Sequence, residues 1–135
     1  MMQVFVDTSA WIALINARDQ LHRQAHNVNA RLTQQRVRWV TTEFVLIEVA
    51  DALSSPPLRQ LAIDYLNNLR RRPHFSIVPV SEELLQWAWD FYSRRLDKDW
   101  SLTDCTSFVV MTQEGMTQAF TADHHFEQAG FKKLL

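Results

Sequence analysis

Glycine, cysteine and long apolar runs are scarce in this sequence of 135 residues, which contains two glycines and one cysteine. Phosphate-binding loops, dinucleotide fingerprints and nucleophile elbows all need closely spaced glycines, so these sites are excluded. A single cysteine excludes an internal disulfide and suits a reducing compartment. We expect Cys105 to be a small buried hydrophobic residue.

No apolar stretch approaches the ~20 residues that a membrane-spanning helix needs. The opening residues, MMQVFVD, lack the basic region, apolar stretch and cleavage site of a signal peptide and are typical of a first strand instead. We therefore expect a cytoplasmic protein with no membrane contact. The length is near the commonest domain size, which predicts a single domain over residues 1–135.

Charge is nearly balanced, with a formal net charge of −1, which argues against a protein dedicated to coating DNA. The positive charges are clustered, and such clusters are either solvated surface charge or contacts for phosphates. The clustered cations are Arg36, Arg38, Arg70, Arg71, Arg72, Arg94, Arg95, Lys132 and Lys133.

Short β-rich apolar runs alternate with segments of helical periodicity along the whole chain. Strands are predicted at residues 4–6, 37–40, 75–80 and 119–121, with a further edge strand at residues 131–135. Helices are predicted at residues 10–15, 21–34, 43–53, 57–69, 82–96 and 103–113, with one last turn at residues 126–130. This alternation predicts an α/β fold, namely a three-layer α/β/α sandwich with a central, mostly parallel sheet and a helical hairpin after the second strand.

Two of the predicted strands end in an aspartate, Asp7 after the first and Asp123 after the fourth. Ligands of open parallel sheets bind beyond the carboxyl ends of the strands, so both carboxylates should enter one crevice. For either residue alone, a helix cap is the simpler interpretation.

Glu48 lies on the apolar stripe of its predicted helix, because its neighbours at i−4, i−3, i+1 and i+4 are all apolar. A carboxylate buried there needs a partner or a metal, unless its head reaches water at the rim of the stripe. Glu43, the other acid of this segment, is explained by the helix dipole.

Asp104 stands in the first turn of a helix that follows a polar loop, so it is either a cap or a site residue. Ser107 is its neighbour one turn further along. Asp99 from the same loop is a further candidate, although solvated loop charge explains it more simply.

Four carboxylates that converge on one crevice cannot all stay ionised without a cation. Oxygen ligands favour Mg²⁺ or Mn²⁺ over zinc, and His124 and His125 are adjacent rather than at ligand spacing. We expect these two histidines to be exposed at a helix start, with a metal or phosphate contact as the alternative. A carboxylate-held Mg²⁺ ion can activate water for displacement at a phosphodiester.

Trp100 is the best candidate among five tryptophans for stacking on a nucleic-acid base, because it lies in a polar loop beside the proposed site. The other four are expected in the core or in a dimer contact.

Four segments resemble the sequence motifs of PIN domains, in the same order along the chain. They read VDTSAW at residues 6–11, TTEFVLIEV at residues 41–49, DWSLTDC at residues 99–105 and TADHHFEQAGF at residues 121–131. One such motif alone would be weak evidence for the family. Four motifs in the right order and at suitable intervals, over essentially the whole chain, are specific evidence.

This resemblance implies a PIN fold and a Mg²⁺- or Mn²⁺-dependent endoribonuclease, which hydrolyses RNA. Its acidic cluster would comprise Asp7, Glu48, Asp104 and Asp123. The hydroxyl of Thr8 or Ser9 would lie near the metal, with Asp99, Ser107 and His124 as further candidates. A compact PIN domain of this kind resembles VapC-type toxins, which implies an antitoxin protein as partner and a homodimer.

Other functions agree less well with these residues. A phosphoacceptor receiver domain needs paired acids after the first strand and an acceptor aspartate after a middle strand, whereas Asp7 stands alone and residues 78–80 carry no acid. A DNA flap nuclease needs additional strand-threading elements. A catalytically silent PIN-like scaffold that binds RNA or protein is the remaining alternative, and the loss of one acid would favour it, but all four are present.

Overall fold

The structure, a computed structural model, describes residues 1–135 as alternating strands and helices. The strands are β1 (Gln3–Val6), β2 (Arg38–Thr42), β3 (Phe75–Val78), β4 (Gln118–Phe120) and β5 (Lys132–Lys133). The helices are α1 (Thr8–Ile15), α2 (His22–Gln34), α3 (Glu43–Ala52), α4 (Leu58–Leu69), α5 (Glu82–Arg94), α6 (Leu102–Gln113) and α7 (His124–Gln128).

The five strands form one sheet in the order β3-β2-β1-β4-β5, and every pair is parallel. This confirms the predicted α/β sandwich, its edge strand and the α3–α4 hairpin between β2 and β3. Strands β2 and β3 lie on one side of β1 in the sheet, and the chain then crosses to the other side of β1 to form β4. Such a reversal of strand order opens a crevice at the carboxyl ends of β1 and β4.

Helices cover both faces of the sheet. The strand register places Phe75 of β3 and Phe5 of β1 on opposite faces. On one face, the Trp11 ring of α1 lies 5.7 Å from that of Phe75. On the other, the Phe126 ring of α7 lies 6.3 Å from that of Phe5 and 4.9 Å from that of Phe108 in α6. These aromatic contacts fix the helices that carry the crevice residues.

Several predicted boundaries shift by one or two residues, and the hydrogen bonds explain why. The third strand ends at Val78 and not at residue 80, because Pro79 has no N–H for the ladder and the Val80 N–H donates to Glu43. Thr42 and Ser81 cap α3 and α5, since each side-chain oxygen accepts a backbone N–H of its helix. Gly115, just after α6, has φ +66°, the left-handed conformation that commonly ends a helix.

Cys105 is buried, as predicted, and burial raises its pKa to about 11. None of the seven helices combines the length and the apolar character needed to cross a bilayer.

Candidate active site

Asp7 leaves the end of β1 and is almost completely buried, with 4% of its surface exposed. Although it occupies the position before α1, its side chain makes no capping hydrogen bond. Its Oδ2 instead accepts a hydrogen bond of 2.9 Å from the Thr121 hydroxyl beyond β4. The carboxylate therefore faces across the crevice, as the strand-end argument predicted, and the capping alternative is excluded.

Burial raises the pKa of Asp7 from 3.8 to about 7. The Thr8 backbone N–H and the Thr121 hydroxyl stabilise the ionised form, but the nearby charges of Asp104 and Glu48 raise the pKa further. The charges of Glu48 on α3 and Asp104 on α6 thus act on one centre, the carboxylate of Asp7.

Glu48 reaches this centre from α3 and is half-buried. Its Oε1 accepts a short hydrogen bond from the hydroxyl of Thr8. Glu43 has a different role, because its carboxylate accepts from the Val80 N–H at 2.8 Å and lies 3.7 Å from Arg70. The structure thus separates the two acids of this segment in the way that the apolar stripe indicated.

Thr8 and Ser9 stand within the first turn of α1, which begins at Thr8. Both hydroxyls are engaged in the crevice. The Ser9 hydroxyl lies 3.0 Å from that of Thr121 and accepts the Ala122 N–H at 2.9 Å. Thr8 therefore links the first turn of α1 to Glu48 on α3, and Ser9 links it to the segment that follows β4.

Asp104 combines the two roles proposed for it. It forms a capping box with Ser101, in which the Ser101 N–H donates to Asp104 Oδ2 at 3.1 Å and the Asp104 N–H donates to the Ser101 hydroxyl at 3.0 Å. Burial raises its pKa, and the neighbouring Asp123 raises it further, against the lowering effect of the Ser101 N–H and of His125. One carboxylate oxygen therefore fixes the helix start while the group as a whole belongs to the acidic cluster.

Asp123 caps the start of α7 and is partly buried. Its Oδ1 accepts the His125 N–H at 2.9 Å, and its own N–H donates to the Thr121 hydroxyl at 3.0 Å. Thr121 is completely buried. Its hydroxyl donates to the Asp7 carboxylate and accepts the Asp123 N–H, so it links these two residues. This link was not predicted from the sequence, where its only signal is a threonine two residues before Asp123.

His125 is a second residue that sequence reasoning misjudged. Its Nδ1 lies 3.1 Å from Asp104 Oδ2 and 3.3 Å from Asp123 Oδ1, and its Nε2 lies 3.3 Å from Asp99 Oδ1. Partial burial lowers the pKa of His125, but the three carboxylates outweigh this effect and the pKa is raised. The expected exposed surface position is wrong, because only 17% of this side chain is accessible.

The remaining candidates lie at the margin of the site. His124 is exposed, with Nδ1 3.8 Å from Asp123 Oδ1. Asp99 is exposed and contacts the cluster only through His125. The hydroxyl of Ser107 donates to the Thr103 carbonyl within α6 at 3.3 Å, so the structure gives it no bond to the four acids.

The expectation that Trp100 stacks on a base is wrong. The ring is buried, lies edge-on 5.0 Å from the ring of Phe108, and donates its indole N–H to Gln128 at 2.9 Å. The Arg95 guanidinium covers the ring at 4.8 Å. Polar neighbours in the sequence concealed a core residue that joins the loop to α6 and α7.

The donor set fits a hard divalent cation. Burial disfavours the charge of Asp7 and Asp104, and the charges of the nearby Glu48 and Asp123 add to this effect. Such a cluster is relieved by proton uptake or by a bound cation. Asp123, His124 and His125 also offer ligand atoms within 4.8 Å of one another. His124 is exposed and His125 already contacts carboxylates, so these two imidazoles are less suited to a hard cation than carboxylate oxygens are.

The fold and this acidic crevice together define a protein class. The PIN domain family matches residues 4–132, and the chain belongs to that family.

Among known proteins, the chain is similar to the 23S rRNA-specific endonuclease VapC20 of Mycobacterium tuberculosis, in both strain CDC 1551 / Oshkosh and strain ATCC 25618 / H37Rv. It is 31% identical to each over 131 residues, which cover 97% of each chain. The crystal structure of VapC20, described as a sarcin–ricin loop cleaving toxin, superposes with a TM-score of 0.81 at 31% identity over 95% of both chains.

Two more distant structures share the fold. FitAcB from Neisseria gonorrhoeae has a TM-score of 0.68 at 14% identity, covering 96% of this chain and 95% of that one. VapBC2 from Rickettsia felis, bound to a DNA fragment from its promoter, has a TM-score of 0.69 at 14% identity, covering 98% and 97%.

Proposed function

We propose that this protein is a metal-dependent endoribonuclease, with Asp7, Glu48, Asp104 and Asp123 as the carboxylates that hold Mg²⁺ or Mn²⁺. The observation that carries the proposal is the buried carboxylate of Asp7, whose pKa is raised to about 7 beside Glu48 and Asp104. Perturbed carboxylates that converge in a crevice mark a functional site. Membership of the PIN family and similarity to a named endonuclease support the same activity.

When bound, the ion would lower the pKa of a water molecule and stabilise the charge that develops on the phosphate. The protein's own residues position this site. The Thr121 hydroxyl holds Asp7 and the Asp123 N–H, while Thr8 holds Glu48. These bonds fix carboxylate orientation before a substrate arrives, which is the form of preorganisation that metal sites depend on.

The test is cleavage of a mixed RNA pool by purified protein with Mg²⁺, with Mn²⁺ or with EDTA, beside the Asp7→Asn variant. We expect metal-dependent cleavage that the variant lacks. Asparagine keeps an oxygen that accepts from Thr121, so the variant should fold. Absence of cleavage under every condition by a folded, partner-free sample would favour the catalytically silent scaffold instead.

We propose the sarcin–ricin loop of 23S rRNA as the substrate to test first. VapC20, described as cleaving that loop, is 31% identical to this chain across almost its full length. Primer extension on ribosomes treated with the protein should show one metal-dependent stop within the loop. Cleavage elsewhere, with the loop intact, would retain the nuclease and reject this substrate.

The similarity to a toxin also supports a protein antitoxin as partner of this chain. The expected result is that co-expression with the gene product encoded next to it abolishes RNA cleavage. Purification of a stable complex of the two proteins would identify that partner.

A homodimer is the oligomeric state that we propose, and α5 is the surface that supports it. Leu85, Trp89 and Tyr92 form an exposed apolar stripe along this helix, with the last two rings stacked at 5.6 Å. The helix begins with two glutamates and ends with Arg94, so an antiparallel copy would place opposite charges together.

Light scattering measures this directly, with Trp89→Glu expected to give a monomer. Trp87→Glu is the matched control, because Trp87 is also exposed but lies off the stripe, in a groove with Val109 and Thr112. A monomeric wild-type protein would reject the homodimer.

A further inference from the structure

The amino ends of the strands carry a second charged surface, on the opposite side of the sheet from the acidic crevice. A concavity of about 560 Å³ lies there, between the C-terminal end of α2 and the starts of β4 and β5. Its polar lining consists of Arg31, Gln35, Gln118, Lys132 and Lys133, and it contains no acidic residue. We call these five residues the amino-end surface.

The cations of this surface have no carboxylate partner. Arg31, Lys132 and Lys133 form no ion pair, whereas Arg70, Arg95 and Lys98 elsewhere in the chain do. In a chain with a net charge of −1, three unpaired cations around one concavity form a local field of one sign.

Backbone structure holds this surface in place. The Lys132 N–H donates to the Thr117 carbonyl at 2.8 Å, and Lys132 is in register with Gln118. The Gln118 amide contacts the Met2 sulfur at 3.2 Å. The lining therefore consists of cations and amide groups carried by a strand pair and a helix end.

Arg36 directly follows Gln35 in the chain, and Arg38 begins β2. The Arg38 N–H donates at 2.8 Å to the carbonyl of Met2, which also lines the concavity. Arg36 has φ +55°, a left-handed conformation that glycine or asparagine usually adopts. This turn therefore carries an arginine at a position where the backbone conformation favours glycine or asparagine.

We propose that the amino-end surface binds the phosphodiester backbone of RNA, away from the bond that is cut. This inference rests on the proposed nuclease function. The crevice end presents four carboxylates, which repel phosphates that are not neutralised by a metal ion. The amino-end surface, in contrast, supplies cations and amide donors suited to phosphates.

The amino-end surface lies at a distance from the acidic crevice. Gln118 begins β4 and Asp123 lies five residues further along, beyond its carboxyl end, at a separation of up to roughly 16 Å at about 3.3 Å per residue. One phosphate cannot reach both, so the amino-end surface should contribute to the binding of long RNA and not to the chemistry.

The test measures binding of a fluorescent 20-nucleotide single-stranded RNA in EDTA, where no cleavage occurs, over a range of salt concentrations. The variant combines Arg31→Gln, Lys132→Gln and Lys133→Gln. We expect at least a tenfold increase in Kd at low salt. The slope of log K against log salt should fall by about 2, since each phosphate contact contributes about 0.7 for single strands.

The matched control removes the same charge elsewhere, through Arg18→Gln, Arg23→Gln and Arg59→Gln, all of which are exposed. If both triple variants lose affinity equally, only overall charge matters and the inference is wrong. An unchanged Kd and slope in the first variant would overturn it as well.

Thermal unfolding with and without Mn²⁺ monitors the crevice in the same variants, and the Mn²⁺-induced shift in Tm should stay at the wild-type value. If the first triple variant alone loses RNA affinity but the wild-type protein cleaves no RNA under any condition, the amino-end surface is supported and the nuclease function is rejected. Metal-dependent cleavage with unaltered RNA binding would support the nuclease and reject the amino-end surface.

Discussion

Nδ1 of His125 lies 3.1 Å from Oδ2 of Asp104, and through this contact α7 is joined to the start of α6. The same nitrogen is 3.3 Å from Asp123 Oδ1. One imidazole thus sets the separation between two of the four carboxylates. Residues that orient metal ligands in this way typically change affinity or activity by about 10–100-fold when they are replaced.

We expect His125→Ala to weaken Mn²⁺ binding and to raise the Mn²⁺ concentration needed for half-maximal cleavage, each by about tenfold or more. His125→Asn keeps a side-chain N–H donor near Asp104 and should recover part of the loss. Isothermal titration calorimetry with Mn²⁺ measures binding independently of catalysis. Wild-type Mn²⁺ affinity in the alanine variant would show that the imidazole does not position the acids.

Stability without metal should depend on Asp7. Its pKa is about 7 in the folded protein and near 3.8 when unfolded, so the folded state binds this proton more tightly. The resulting stability is complete below about pH 4 and is lost as the pH rises to about 7, because the buried group must then ionise.

At pH 8 in EDTA, Asp7→Asn should therefore be more stable than the wild type, by up to about 4 kcal/mol at about 1.4 kcal/mol per pKa unit. The difference should shrink at pH 4, where Asp7 is largely protonated, and reverse with saturating Mn²⁺. Urea unfolding at both pH values provides the measurement. A stability gain that is equal at the two pH values would contradict the raised pKa.

The two glutamates of α3 offer a matched comparison. Glu48→Gln keeps an oxygen to accept from Thr8 but loses the charge in the crevice, so cleavage should fall by at least about 100-fold. Glu43→Gln keeps the acceptor for the Val80 N–H outside the cluster, and its activity should stay within about twofold. Initial rates at saturating metal, with folding checked by circular dichroism, separate the two. Equal losses would mean that α3 acts through stability alone.

Much of this arrangement follows from the sequence by simple rules. Asp7 and Asp123 stand where apolar strands end, and parallel strands bring such ends together. Glu48 interrupts an apolar stripe, so its side chain had to face the protein. These three inferences need only the periodicity of strands and helices, which local sequence determines.

Other parts of the site depend on side-chain direction, which periodicity does not determine. His124 and His125 are adjacent, yet the first residue of α7 points to solvent while the second reaches Asp104. Trp100 has polar neighbours in sequence, but its neighbours in space are Phe91 and Phe108. Both errors arose because tertiary contacts determine the burial of residues in loops and at helix starts.

The burial of Trp100 leads to a prediction of its own. Trp100→Phe removes the indole donor to Gln128 and part of the packing on Phe108, so it should lower the free energy of unfolding by about 1–3 kcal/mol. RNA affinity should not change, whereas loss of a stacked base would weaken binding by about 1–3 kcal/mol. Parallel urea unfolding and fluorescence anisotropy with labelled RNA distinguish these outcomes.

The central position of β1 has a consequence for the order in which the protein acquires its chemistry during synthesis. Asp7 precedes Thr121, whose hydroxyl orients it, by 114 residues. A ribosome therefore adds all of those residues before this carboxylate meets its neighbour. Every nascent chain that stops before Asp123 lacks one of the four carboxylates, and so the growing polypeptide has no complete acidic cluster.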